Sequence, residues 1–332
     1  MIISRTPFRI SFFGGGTDYP DWFRERGGAV LATTIDKHCY ISVRVLPPFF
    51  AHRYRLVYSI VENVVDVADI QHPAVRAVLQ TNGFQKVGLE IHHDGDLPAR
   101  SGLGSSSSFT VGLINALEAL EGRLISKEEL ARDAIHIEQC VLKEPVGSQD
   151  QISAAFGGFN RIEFLPDGSF DLKPIILPPE RNAELQSHLM LFFSGISRFS
   201  SDVARTKIEN LQKRAAELTA MQMMVDQAIS VLRDPHAPIE QFGRLLHESW
   251  MLKRSLSDRV STDVIDNIYE TARRAGAIGG KVLGAGGGGF LVFFVPPDRQ
   301  ACVKDALKDL INVPFKFENS GSRIVLYQPN GL

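Results

Sequence analysis

Leu97-Pro-Ala-Arg-Ser-Gly-Leu-Gly-Ser-Ser-Ser-Ser108 is the stretch on which the reading of this chain turns. Gly102 and Gly104 let the backbone turn sharply, and four serines follow them. Val111, Ile114, Leu117 and Leu120 then recur every three residues up to Gly122, which predicts an amphipathic helix opening at Ser105. A glycine turn that feeds a helix N-terminus presents amide N–H groups without intrahelical acceptors, at the positive end of the helix dipole. Such a place suits an anion, phosphate above all. Serine hydroxyls there donate to phosphate oxygens or coordinate Mg2+, a hard cation that takes oxygen ligands. A plain serine N-cap after a glycine turn accounts for the same residues. A Walker A loop does not, because no Gly-Lys-[Ser/Thr] follows the glycines.

Upstream, Phe8-Arg-Ile-Ser-Phe12 alternates as a strand toward Gly14-Gly15-Gly16, and residues 29–34 and 40–46 read as two further strands. Residues 55–60 and 87–92 suit short strands, with a helix over 74–82 between them. Downstream, Ser126-Lys-Glu-Glu129 is a capping box that opens a helix running to about residue 143. Pro145 and Gly147 break it, which leaves Asp150 in a loop before a short helix at 152–156. The Pro-, Asp- and Gly-rich residues 166–179 mark a boundary between domains 1–178 and 179–332. The second part reads as strands at 188–193, 281–283, 290–295 and 323–327, with helices at 201–232, 238–256, 262–275 and 298–311. The class expected is α+β in two lobes.

At 332 residues the chain is long enough for two domains. Its 36 basic residues against 38 acidic ones leave a net charge of −2, so the basic excess of a non-specific nucleic-acid binder is missing. Cys39, Cys140 and Cys302 are far apart and form no C-x-x-C pair, against both a disulfide scaffold and a zinc site. Apolar runs such as 290–297 are too short to span a bilayer, and Arg5 and Arg9 interrupt any secretory signal. A cytoplasmic protein without membrane partners is expected.

Glu138 on its predicted helix and Asp150 twelve residues later can divide labour at a phosphate site, one acid holding Mg2+ and the other orienting a hydroxyl. Taken alone, spacing favours two ordinary solvated acids. Arg9 and Asp18, flanking the first glycine turn, suit a polar ligand or a structural turn with a salt bridge. Gly284-Ala-Gly-Gly-Gly-Gly289 satisfies G-x-G-x-x-G but precedes a strand, where a dinucleotide fold requires a helix.

Pro7-Phe-Arg-Ile-Ser-Phe-Phe-Gly-Gly-Gly-Thr-Asp18, Pro98 to Ser108 and Lys281 to Gly289 together, in this order, resemble the GHMP kinase superfamily over nearly the whole chain. The resemblance implies a two-lobed fold, with an N-terminal lobe like ribosomal protein S5 domain 2 and a ferredoxin-like C-terminal lobe. It implies ATP and Mg2+ as cofactors and a small sugar or sugar phosphate as partner. Gly102, Gly104, Ser105, Ser106, Ser107, Gly286 and Gly287 would hold the nucleotide, with Ser106 and Glu138 as metal ligands. Asp150, in Gly147-Ser-Gln-Asp-Gln151, would be the catalytic aspartate with Arg9 beside it. Gly15, Gly16, Thr17 and Asp18 would line the sugar. The Gly-Gly-Gly-Thr-Asp variant, with Ile35-Asp-Lys37 and Gly195-Ile-Ser-Arg198, is most similar to the heptose 7-phosphate kinase branch and shares much with fucokinase domains. A phosphorylated substrate needs a cationic pocket, for which Arg198, Lys253 and Arg254 are the candidates. Apolar faces in the helices from 201 to 275 suit either core or the interface of a homodimer.

Overall fold

A computed structural model of the chain describes residues 1–99, 101–196, 208 and 210–329. The first lobe is built on β1 (Ile2–Phe13) and β2 (Gly28–Val45), the hairpin β3 (Tyr54–Val57) and β4 (Val61–Val64), then β5 (Leu89–Gly95), β6 (Phe159–Phe164) and β7 (Phe170–Pro174). The second lobe contains β8 (Leu189–Phe193), β9 (Gly279–Val282), β10 (Phe290–Phe294) and β11 (Ile311–Val313). The chain then returns to the first sheet with β12 (Phe317–Glu318) and β13 (Arg323–Tyr327). The last strands thus close the first lobe from the far end of the sequence, across the division expected at 178/179.

In the nine-stranded sheet the order is β13-β1-β2-β5-β3-β4, with β6 and β12 also on β2 and β7 on β6. All pairs are antiparallel except β3 with β5. β2 is one strand where the sequence suggested two, for a physical reason. Pro7 pairs with His38 and Phe8 with Ile35, so Asp36 and Lys37 bulge out and interrupt the alternation. The bulge also hands β2 from β6 along its first half to β5 along its second. In the second lobe the antiparallel order β11-β8-β10-β9 is four-one-three-two in chain order, the ferredoxin-like arrangement.

Against the large sheet lies the helix that the serine run opens (Ser105–Leu120), bounded as expected but buried almost all round rather than amphipathic. Gly112 makes this possible. A methyl there would sit 2.9 Å from Thr6 Oγ1, and Ser4 Oγ donates to the Gly112 carbonyl (2.7 Å), so helix and β1 nearly touch backbone to side chain. Three elements that carry site residues complete the first lobe: the turn and short helix Pro20–Arg26, the capping-box helix Lys127–Ile135, and the helix Gln149–Phe156. The lobes meet where Phe242 packs edge-on against Phe12 (5.5 Å) and Phe13 (5.1 Å), and where buried Lys281 donates to the Phe12 carbonyl (2.8 Å). Among the described residues, no helix is long and apolar enough to cross a membrane.

Candidate active site

Gly104 caps the serine helix in the left-handed region (φ 76°), and the first intrahelical bond runs from the Ser108 N–H to the Gly104 carbonyl. The amides of Ser106 and Ser107 therefore point from the helix mouth without intrahelical acceptors. Arg9, on β1, reaches the same spot. Its Nε donates to Asp150 Oδ1 (2.8 Å), Nη2 to Oδ2 (2.9 Å) and Nη1 to the Gly102 carbonyl (2.6 Å). A methyl on Gly104 would lie 3.3 Å from Arg9 Cγ and 3.5 Å from the Asp150 carboxylate. The arginine side chain is 4% exposed and the aspartate 26%, so a fixed cation presents an accessible carboxylate at the mouth of the glycine–serine turn. Asp150 stands in the first turn of a helix rather than in the loop expected, which ties its position to the packing of that helix.

Glu138 is placed by a different device. After Ile135 the helix widens into a π-helical stretch, His136–Val141, and this turns the glutamate inward to 1% exposure. Its Oε2 accepts from Ser107 Oγ (2.8 Å) and from Gln151 Nε2, while Oε1 is buried without a partner. Burial pushes the carboxyl up to about 7, against the hydrogen bonds from Ser107, Thr110 and Gln151 that pull it down. Among the described residues no cluster of three His, Cys, Asp or Glu suits a metal. Mg2+ does not need one, because it binds through one or two carboxylates plus phosphate oxygens. The orphaned Oε1 beside the serine helix fits that role. Here the serine that touches Glu138 is Ser107, whereas Ser106, the one expected, is exposed at the mouth.

Several expected contacts turn out differently. Asp18 is 2% exposed, its Oδ1 accepting from the Gly16 N–H (2.8 Å) and Oδ2 from Gln149 Nε2 (2.8 Å). A methyl on Gly147 would fall 1.9 Å from Oδ2, so Asp18 clasps the segment that carries Asp150 instead of opening toward sugar hydroxyls. Thr17 is also internal, bonded to the Gly14 and Ala29 carbonyls. Of that turn, only Gly15 is partly exposed. Lys253 is buried, with Nζ on the Val282 (2.9 Å) and Gly284 (2.7 Å) carbonyls, so it braces a loop and is no pocket cation. Arg254 is ion-paired to Asp266 (2.6 Å). Arg198 lies outside the described residues.

The third glycine run is scaffold. Gly287 donates its N–H to the Val260 carbonyl (2.9 Å) and Gly286 abuts the same residue, which takes both away from a nucleotide. Gly284 lies against Gly102, and Phe290 donates to the Ser101 carbonyl (3.0 Å), so the run props the glycine–serine turn from behind. Gly289 combines φ 85° with a Cβ position 2.2 Å from the Ser101 oxygen. Gly289→Ala is expected to cost about 2–4 kcal/mol through left-handed strain plus overlap, read as a lower urea midpoint. A variant as stable as the parent would show that this contact imposes no constraint.

Gln149, Gln151 and Tyr19 were not singled out by sequence, and Ser107 was expected at the nucleotide rather than on Glu138. Tyr19 is buried, and its hydroxyl is pushed far above the usual phenol range by burial and then by the Asp18 and Asp150 carboxylates, so it remains a proton donor beside them. Gln149 and Gln151 flank Asp150, and the polar run 148–151 was the available signal.

The chain is similar to known proteins over most of its length. Residues 68–158 match the GHMP kinases N terminal domain and 236–312 the GHMP kinases C terminal domain. A D-glycero-alpha-D-manno-heptose 7-phosphate kinase of Campylobacter jejuni is 30% identical over 317 residues, covering 92% of this chain and 93% of that protein. A bifunctional fucokinase/GDP-fucose pyrophosphorylase of Arabidopsis thaliana is 25% identical over 89% of this chain but only 30% of its own length. In fold, a D-glycero-D-manno-heptose 1-phosphate kinase from Bacteroides thetaiotaomicron superposes with a TM-score of 0.79 at 24% identity, over 98% of each chain. Matches to both GHMP kinase domains and a relative aligned over more than nine-tenths of each chain make this chain a member of the GHMP kinases, an ATP-dependent sugar kinase that phosphorylates an alcohol group.

Proposed function

We propose that the chain transfers the γ-phosphate of ATP to the anomeric hydroxyl of D-glycero-D-manno-heptose 7-phosphate. The product, a heptose 1,7-bisphosphate, would feed nucleotide-activated heptose and surface polysaccharide, in the cytoplasm where ATP is available. The observation that carries the chemistry is the bidentate Arg9–Asp150 pair against Gly104 at the helix mouth. The similarity to the Campylobacter enzyme supports the substrate.

In this reading the triphosphate lies over the turn 102–107, where the Ser106 and Ser107 amides donate to oxygens on which charge accumulates during transfer. Asp150 accepts the proton of the anomeric hydroxyl as its oxygen bonds to the γ-phosphorus and the bond to the ADP oxygen breaks. Arg9 holds that carboxylate in one orientation through two parallel bonds and is itself anchored on Gly102, so base and phosphate turn keep a fixed separation. Glu138, with Ser107 and Ser106 beside it, would hold Mg2+, which when bound neutralises charge on the β- and γ-phosphates.

A panel measuring ATP consumption with heptose 7-phosphate, fucose, galactose, homoserine and mevalonate tests the assignment. Heptose 7-phosphate is expected to exceed every other acceptor by about 100-fold in kcat/KM, because a site built around a charged group rejects analogues that lack it. Preference for fucose would move the enzyme to the hexose 1-kinases.

A further inference from the structure

The basic residues expected to receive a substrate phosphate, Lys253 and Arg254, are committed elsewhere, but the same lobe holds a cationic cavity a few residues further on. It has a volume of about 350 Å3 and lies between residues 210–214 and the turn 255–259. Lys213, Arg214 and Arg259 line it, with Asp258 as the one acid among the described lining residues. Arg214 also reaches Glu217 (3.0 Å), whereas neither Lys213 nor Arg259 has an ion-pair partner among the described residues. Gathering like charges around a cavity is unfavourable unless a counter-charge enters it. In a chain with a net charge of −2, basic residues do not assemble there from general excess.

Both walls are bonded to segments that continue toward the active site. Val260, next to Arg259, accepts the Gly287 N–H (2.9 Å), and that glycine run backs onto Ser101 and Gly102. On the other side Gln212 donates to Glu25 (3.1 Å), at the end of the short helix that begins two residues after Asp18. The cavity is thus framed by extensions of the two glycine turns that flank Arg9 and Asp150.

We infer that this cavity binds a phosphate monoester dianion, the phosphate that the acceptor sugar carries before transfer. This rests on the kinase reading above. Guanidinium forks and an ammonium suit such a group in geometry and charge.

The test uses the whole chain with Lys213→Ala and Arg259→Ala, both at exposed positions. Kinetics with heptose 7-phosphate and with free heptose are measured beside the shift in Tm produced by inorganic phosphate. Each variant is expected to lower the ratio of kcat/KM for the phosphorylated over the free sugar by about 10- to 50-fold, the loss of one charge-assisted contact. The phosphate-induced Tm shift is expected to vanish with it. If the Tm shift vanishes but the ratio holds, the cavity takes a phosphate from a separate ligand, and the assignment to the substrate is overturned. A Tm shift and ratio equal to the parent's, or equal losses on both sugars with the Tm shift retained, overturn the site itself. Should the parent fail to turn over any sugar phosphate, the heptose 7-phosphate reading falls, and the phosphate titration still decides the cavity.

Discussion

Asp150→Asn is expected to reduce kcat by about 1,000-fold while changing the KM for ATP less than about threefold. The amide is nearly isosteric and keeps an oxygen for Arg9 Nε, so helix Gln149–Phe156 and the turn it faces should stay in place. It cannot accept a proton in the pH range of the reaction, and removal of a positioned general base typically costs 100- to 10,000-fold. Its NH2 would face Arg9 Nη2, a donor against a donor, which adds a stability loss of about 1 kcal/mol. Steady-state rates with equilibrium ADP binding separate the two effects. Full ADP affinity with lost turnover is the expected pair. Turnover within tenfold of the parent would remove Asp150 as the base. Arg9→Lys complements this variant, since an ammonium cannot hold both carboxylate oxygens and the Gly102 carbonyl in one plane, and a loss of about 100-fold is expected.

What the sequence could tell about this site depends on which physical constraint each residue answers to. The serine run and the capping box are local signals, and both helices begin where the residues place them, at Ser105 and after Ser126. Glycine is ambiguous in a deeper way. A missing Cβ permits close approach by a ligand or by another stretch of backbone, and the residue type is the same for both. Gly286 and Gly287 resembled nucleotide contacts but answer to Val260, and Gly284 answers to Gly102. Asp18 resembled a sugar ligand, yet Gly147 and Gln149, remote in sequence, bury it. Lys253 was legible and misread: Phe242, Leu246, Trp250 and Lys253 fall at helical spacing on one buried stripe, so the lysine had to find internal acceptors. The strand at 323–327 was expected, but its partner β1 lies at the other end of the chain, and periodicity carries no information about pairing over that distance.

The residues converging on the phosphate turn come from separate elements, and each is held by something other than substrate. Arg9 belongs to β1, Asp150 to a helix clasped by Asp18, Glu138 to a widened helical turn, and the turn itself to the glycine run behind it. Such preorganisation lowers the reorganisation needed during transfer, which is where most of the acceleration of a phosphoryl transfer arises. Part of its cost falls on the buried carboxyl of Glu138 with its unpartnered oxygen.

Glu138→Gln should therefore stabilise the protein without nucleotide or metal at pH 8 and abolish most of its activity. The carboxyl titrates at about 7 in the folded chain against 4.5 for an ordinary glutamate, raised by burial. For a carboxyl raised on folding, the stabilising contribution is complete below the unfolded value and is lost as pH climbs through the folded one. Between about pH 4.5 and 8 the parent gives up on the order of 3 kcal/mol that a glutamine, neutral throughout, retains. The variant's Tm is expected to exceed the parent's at pH 8 and to converge on it near pH 5, where the parent is protonated as well. Activity should move the other way. Mg2+ requires the ionised acid, so at limiting Mg2+ the parent's rate rises with pH around 7, and added Mg2+ displaces that midpoint downward because metal and proton compete for one oxygen. In the variant kcat is expected to fall at least 100-fold, with the Mg2+-dependent part of ADP affinity gone. Thermal melts at the two pH values, run beside Mg2+ titrations of the rate, read both predictions. A variant less stable than the parent by the same margin at pH 5 and pH 8 would mean that Glu138 is held for its hydrogen bonds to Ser107 and Gln151 and not for a cation.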